Sequence, residues 1–372
     1  MRRRRSIALM LLVAIASACG PGRGVRLEPQ GSPADQFGGE PADSDIRIVS
    51  AVFMAGQPSS LAAGRGVVWV SYAGRSAAGL QAFSPASGVA SPVARFTPFP
   101  TVAPIAMATT PGSVWMLDKP LPTATEAVPN ARLLRLGAPA QPARSLHSPP
   151  FPPDNLQAVA PPYPRDTVLA GANDRALWLV SPADLGHILV RRDAITSRLS
   201  RFAIQTKASP GVAVTARRVF VLVRVGRDTV VIQTRDTSGK VIAVSPAVRI
   251  RYFEASPLVA CGDRIFGWTH GAHLTLFRIN ASGASLSYSG NLPPSSGPSS
   301  VTALALGAGC RTIWAASGST NGGALSRLDA SSWRVEGQID TPPIVALLWS
   351  KEGLWAADPL HSAVLQVRLQ QR

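Results

Sequence analysis

The chain has 372 residues, with 37 Lys and Arg against 21 Asp and Glu and a formal net charge of +16. No stretch reaches the about 20 apolar residues that a helix needs to cross a bilayer, which excludes a protein built of several membrane-spanning helices. Residues 46–372 hold 31 basic and 16 acidic side chains, and only four of the 31 are Lys. Such reliance on Arg can reflect the base composition of a genome, so net charge alone assigns no function.

Residues 2–5 are four arginines, and residues 6–18 are apolar apart from Ser6 and Ser17. That run is too short to span a bilayer but suits the apolar core of an export signal. Ala16, Ser17 and Ala18 then precede Cys19. The arrangement resembles the lipobox of bacterial lipoproteins, in which the cysteine becomes the lipidated first residue of the mature chain. Ala16 stands where that motif usually carries leucine, which leaves ordinary cleavage after Ala18 as the alternative. The expectation is a signal over residues 1–18 and an extracytoplasmic protein anchored through Cys19 to a bacterial membrane, on its periplasmic or cell-surface side. For such a protein no nucleic-acid partner is expected. Residues 20–45 are rich in Gly and Pro, carry five acids and offer little to bury. They read as a flexible tether spanning about 30 Å on average.

From residue 46 onward a short β-favouring run with a central aromatic recurs. Its members are Val67-Val68-Trp69-Val70, Ser113-Val114-Trp115-Met116, Ala176-Leu177-Trp178-Leu179, Arg218-Val219-Phe220-Val221, Arg264-Ile265-Phe266-Gly267, Thr312-Ile313-Trp314-Ala315 and Gly353-Leu354-Trp355-Ala356. The aromatics lie 46, 63, 42, 46, 48 and 41 residues apart, a period that suits a four-stranded propeller blade. Pro58, Pro104, Pro210, Pro257 and Pro343 open the preceding strand in most units, where a missing N–H is tolerated. Turn residues such as Gly64-Arg65-Gly66, Cys261-Gly262-Asp263, Arg235-Asp236-Thr237-Ser238-Gly239 and Asp329-Ala330-Ser331-Ser332 separate the strands, as hairpins demand. Each unit therefore reads as strands A, B, C and D. The last unit has no strand D, and a spare strand at residues 46–53 precedes the first strand A. The expectation is an all-β, seven-bladed β-propeller over residues 46–372, its last blade completed by the N-terminal strand. The alternative is a β-sandwich beside a second all-β domain, which would not need phase-locked repeats.

The Pro-opened strand, the G-x-x-Trp strand and the Asp/Ser-Pro/Ala-x-x-Gly turn resemble those of the streptogramin (virginiamycin B) lyase-like and NHL-type propellers. The resemblance implies the fold. Those lyases use a His with a nearby Glu and a divalent metal in the late blades. Here no Glu falls between Glu254 and Glu336, so the resemblance does not carry the lyase activity with it.

Cys261 and Cys310 each precede an aromatic strand by a few residues and so belong to the A–B turns of neighbouring blades. Outside the cytoplasm they are expected to form a disulfide, the alternative being two unpaired thiols too far apart to bridge. No third ligand accompanies them, so no metal site is expected, and no cofactor.

His187, His270, His273 and His361 follow B strands, and Asp118, Asp184 and Asp358 take similar places. B–C and D–A connections share one face of a propeller, beside the axial channel. His270, His273, His361 and Asp358 are thus candidates for proton transfer, against the plainer reading of solvated loop residues. Motifs such as G-x-S-x-G or H-E-x-x-H are absent. Two features suggest binding instead. Thirteen basic residues lie between Arg191 and Arg251, against three acids. Arg217, Arg218, Arg224 and Arg227 among them suit phosphate or carboxylate groups. Residues 139–165 hold nine prolines and read as a semi-rigid loop carrying Phe151 and Tyr163 on the histidine face, or as a plain surface loop. The expected function is a membrane-anchored binding or scaffolding module for an envelope protein or anionic polymer. The alternative is a lyase or hydrolase with its site on the histidine face.

Overall fold

Each of the seven aromatic-centred runs forms the second strand of its own antiparallel sheet. The computed structural model describes residues 45–369 apart from 65, 74–77, 86–89, 97–105, 120–129, 138–155, 252, 271–273, 293–299 and 320–321. The first strand is β1 (Ile46–Phe53). Blade one is β2 (Gln57–Gly64), β3 (Val67–Ala73), β4 (Ala78–Phe83) and β5 (Ala90–Phe96). Blade two is β6 (Ala106–Thr110), β7 (Ser113–Asp118), β8 (Ala131–Gly137) and β9 (Leu156–Tyr163). Blade three is β10 (Val168–Ala172), β11 (Ala176–Ala183), β12 (Gly186–Asp193) and β13 (Leu199–Ile204). Blade four is β14 (Gly211–Val214), β15 (Arg218–Gly226), β16 (Thr229–Asp236) and β17 (Val241–Val244), with β18 (Val248–Arg249) rejoining β16 after a break. Blade five is β19 (Val259–Cys261), β20 (Arg264–His270), β21 (Leu274–Asn280) and β22 (Leu286–Asn291). Blade six is β23 (Ser300–Leu306), β24 (Thr312–Ser319), β25 (Gly322–Asp329) and β26 (Val335–Thr341). Blade seven is β27 (Ala346–Ser350), β28 (Gly353–Asp358) and β29 (Ala363–Leu369), closed by β1.

The closure is antiparallel, from Ile46 opposite Leu369 to Phe53 opposite Ala363. Inner strands meet in sequence around the axis, β2 with β6, β10, β14, β19, β23 and β27, and β27 returns to β2. The protein is therefore a seven-bladed β-propeller.

Its core is divided among the blade interfaces. Seven apolar clusters each draw on two neighbouring blades. Trp115, Trp178, Phe220, Phe266, Trp314 and Trp355 are all buried within them. Removing one such aromatic should cost about 3–5 kcal/mol, because the rigid sheets cannot collapse into the space. A second contact repeats around the ring. Arg135, Arg191, Arg278 and Arg327 sit opposite the B-strand aromatics of their blades. Three of them reach the C–D turn of the next blade. Arg135 donates to Ser197 Oγ at 3.1 Å, Arg191 Nε to the Thr237 carbonyl at 2.7 Å, and Arg278 to the Ser331 carbonyl at 3.0 Å. Arg135 and Arg278 also lie over the rings of Trp115 and Trp333. These three arginines thus serve as blade-to-blade mortar.

Cys261, at the end of β19, and Cys310, in the A–B turn of blade six, are disulfide-bonded with Cα atoms 6.2 Å apart. That separation lies inside the range that unstrained bridges use. The expected pairing across two neighbouring A–B turns is the one observed.

One expectation changes. Residues 156–163, inside the proline-rich stretch expected to be a loop, form β9, the outermost strand of blade two, and β9 includes Pro161 and Pro162. An outermost strand has one unpaired side, so a missing N–H there breaks no ladder bond. Tyr163 is consequently not a rim residue. It is 3% exposed, and Arg192 Nη1 donates to its hydroxyl at 3.3 Å. Of the rest of the stretch, residues 139–155 lie outside the described residues and Pro164 and Arg165 follow β9. Phe151 lies outside the described residues.

Candidate functional site

Strand order assigns the two faces of the disc. A–B and C–D turns form the lower face, and B–C and D–A connections the upper. The histidine and aspartate candidates belong to the upper face.

The best-defined group there is the B–C hairpin of blade seven. Asp358 ends β28 fully buried. Its Oδ1 accepts the N–H groups of Leu360 at 2.9 Å and His361 at 3.2 Å. This is the turn an aspartate makes when its carboxylate stands in for a backbone carbonyl, with Pro359 presetting the bend. The other oxygen, Oδ2, lies 2.6 Å from His361 Nδ1. The carboxylate therefore fixes the imidazole at the rim of the face, with His361 partly exposed. A carboxylate-oriented imidazole can take up or deliver a proton if a substrate is held against it.

Asp118 follows Trp115 by three residues, as Asp358 follows Trp355. It too is fully buried, but its partner is Arg132, in an ion pair across β7 and β8. The same Trp-x-x-Asp spacing thus gives a second buried carboxylate with a structural partner. Lys119, the next residue, is held below the usual lysine value by burial, with Asp166 opposing that effect. His187 Nδ1 lies 3.2 Å from the Thr206 carbonyl, on blade three. His270 ends β20 on blade five, opposite Leu274. The side chain of His270 and the whole of His273 lie outside the described residues, as does Cys19. The candidate residues are thus spread over separate blades. Among the described residues no three His, Cys, Asp or Glu side chains are grouped as metal ligands.

The arginines singled out in the sequence do not form one patch. Arg217 and Arg218 stand at the lower end of β15, and Arg224 and Arg227 at its upper end. A strand rises about 3.3 Å per residue, so the two pairs are separated by roughly 20 Å. Arg218 is ion-paired with Asp263 of blade five. Arg224 donates to the Phe253 carbonyl and lies over the Phe253 ring at 5.7 Å. Arg192 and Arg235, from the same tract, are buried. Arg217 and Arg227 remain exposed, on opposite faces.

The upper face also presents apolar side chains. Leu185, Val225 and Leu360 stand at the B–C hairpins of blades three, four and seven and are 94%, 58% and 58% exposed. Phe53 and Val168 are exposed at the same end of their strands. Sequence reasoning missed these residues because a lone Leu in a turn carries no periodic signal. Two of the arginines that reach the next blade did have one, Arg two residues before the turn Asp or Asn, in Arg191 and Arg278, a pattern that Arg327 shares.

No family model matches the chain. The search of curated proteins also returned no match. Solved structures do share the fold. The β-propeller domain of Myceliophteria thermophila Cps50 (Swd1) superposes with a TM-score of 0.55 at 11% identity, over 87% of this chain and 99% of that one. Kuenenia stuttgartiensis hydrazine synthase gives 0.56 at 10% identity, over 84% of this chain and 95% of that one. The WD40 domain of Toxoplasma gondii coronin gives 0.52 at 8% identity, over 88% and 86%. Identities this low establish a common architecture and carry no activity with them.

Proposed function

We propose that the chain is a lipid-anchored extracytoplasmic propeller that binds another envelope protein through its upper face. The observation that carries this reading is the set of apolar side chains held out at B–C hairpins, Leu185 above all. Exposed leucine on a rigid hairpin gains from being covered, at about 25 cal/mol per Å². Propellers with unrelated partners commonly serve as scaffolds, and the fold offers this face as a stiff platform. The tether fits the same orientation. Ile46 lies at the lower end of blade seven, opposite Leu369, so a chain anchored at Cys19 would leave the lower face and turn the upper face outward. A protein partner suits these features better than an anionic polymer, since the arginines of blade four are divided between the faces.

The test is in-cell crosslinking of the tagged, full-length protein, with mass spectrometry of what co-purifies. A recurrent protein is expected, lost on changing Leu185 and Leu360 to Asp while the fold is retained. Crosslinks unchanged by both substitutions would remove this reading.

The Asp358–His361 pair supports a second reading, a lyase or hydrolase acting at the upper face. Its test is turnover of envelope glycans or esters by the soluble chain. Activity abolished by His361→Ala and retained in the Leu185 variant would favour it.

A further inference from the structure

The outer strand of blade four, β17, is apolar throughout, unlike the other outermost strands. Among the described outermost strands, β9 contains Pro161 and Pro162, β13 contains Arg201, β26 contains Glu336 and Asp340, and β1 contains Arg47. Those are the devices that keep an open sheet edge from pairing. Neither β22 of blade five nor β17 has them, but β22 intersperses Ser, Gly and Asn, whereas β17 holds no polar side chain. It is Val241-Ile242-Ala243-Val244, and every residue is exposed, with Ile242 at 51% and Val244 at 59%. Exposure on both sides of the strand means that neither neighbouring blade covers it fully. As the terminal strand of its sheet path, β17 also has no strand along its outer side.

Basic residues frame this edge. Lys240 precedes it, and Arg249 and Arg251 follow it, all three exposed. On blade five, Tyr288 is exposed beside them, its hydroxyl 3.5 Å from the Arg249 carbonyl. The strands β17, β18 and β22 contain no Asp or Glu.

We propose that β17 is a docking edge for an extended segment of a partner protein, one with an aliphatic centre and acidic flanks, which adds to blade four as a further strand. This surface is independent of whatever the upper face binds. Strand addition fits because it supplies both things the edge lacks, hydrogen-bond partners for its outer backbone and cover for its side chains. A lipid surface would cover the side chains but leave the backbone N–H and C=O groups unpaired in an apolar medium, which is costly. A second copy of this chain would bring Lys240, Arg249 and Arg251 against their own counterparts. Acidic flanks on a different chain turn the same charges into attraction.

The experiment uses the full chain and a fluorescent peptide of alternating valine and threonine with aspartates at both ends. Binding is read by anisotropy, and its position by amide hydrogen exchange. The expected result is saturable binding that weakens with salt, with new protection confined to β17 and its neighbours. Ile242→Lys should weaken it by about tenfold or more. Because a lysine on an exposed edge leaves the core intact, that variant should fold. Lys240→Glu with Arg249→Glu should remove the preference for aspartate flanks over lysine flanks. No binding, binding indifferent to Ile242→Lys, or protection elsewhere would each overturn the proposal. So would attachment to anionic vesicles in place of the peptide, or a concentration-dependent dimer that Ile242→Lys dissolves. Crosslinks from the upper face would be untouched by any of these outcomes.

Discussion

Asp193, Asp236 and Asp329 each open a C–D turn and spend their carboxylates on it. Asp193 accepts the N–H groups of Ile195 at 3.1 Å and Thr196 at 2.9 Å, together with the Thr196 hydroxyl at 3.0 Å. Hydrogen bonding from the Thr196 N–H, outweighing the partial desolvation that opposes it, holds the Asp193 carboxyl down at about 2 against an ordinary 3.8. Bonds to Ser331 and Ser332 put Asp329 well below the carboxylate range in the same way. A carboxyl lowered by folding stabilises fully above its unfolded value, and that contribution disappears as pH falls through the folded one. The margin between the native chain and Asp193→Ala should therefore be constant above pH 4 and shrink between about 4 and 2. Near the surface its size should be no more than about 1 kcal/mol, because water screens the charge. Thermal unfolding of both proteins across that range is the check, and a margin that grows on acidification would contradict it. Asp193 also accepts from Arg191 at 3.2 Å, and Arg191 reaches the next blade's turn. One residue thus ties turn geometry to blade packing.

The disulfide acts between elements. It joins the end of β19 to the turn before β24, across the interface of blades five and six. A bridge closing a loop of 49 residues restricts the unfolded chain by about 4 kcal/mol in the chain-entropy account. Cys310→Ala should lower stability by about that amount, read as a lower denaturant midpoint with a slope no smaller than the native one, because the unlinked unfolded chain exposes more surface. Reductant should lower the midpoint of the native chain and leave the variant unmoved. Equal midpoints for both oxidised proteins would show that packing alone holds the two blades. The same interface is clasped a second time, at the C–D turn of blade six. Trp333, in the C–D turn of blade six, adopts a left-handed φ of +64° and donates from Nε1 to Ser287 Oγ of blade five at 3.1 Å. An indole in a conformation that costs most side chains energy is held there by its edge-on contact with Phe266 and by Arg278 over its face.

At the scale of the whole molecule, the ring stands or falls on β1. It lays Ile46, Ile48 and Val52 into buried positions beside blades six, seven and one. Deleting residues 46–53 would expose these contacts and leave β29 as an open edge. The expected loss is about 5 kcal/mol or more from apolar burial alone. Broadened, multi-step unfolding should replace a single transition, because a broken ring loses the constraint that couples first and last blades. A variant still unfolding sharply at the native midpoint would show that blade seven holds with three strands.

The sequence by itself determined the blade count, the second strand of every blade and the closing strand, while the Cys261–Cys310 bridge was expected and the fold decided it. The first three follow from local pattern and period. An aromatic must lie in a B strand whatever surrounds it, and a missing strand at one end must be met by a spare one at the other. It did not determine which side chains meet. Arg217 and Arg227 are ten residues apart in the chain and on opposite faces in the fold. Arg191 is spent on a neighbouring blade, and Tyr163 passes from expected rim to core because an outermost strand admits proline. The exposed hairpin leucines and the bare edge of β17 likewise become visible only when the blades are in place. Exposure is a property of what the neighbours fail to cover, and a single strand's sequence does not contain its neighbours.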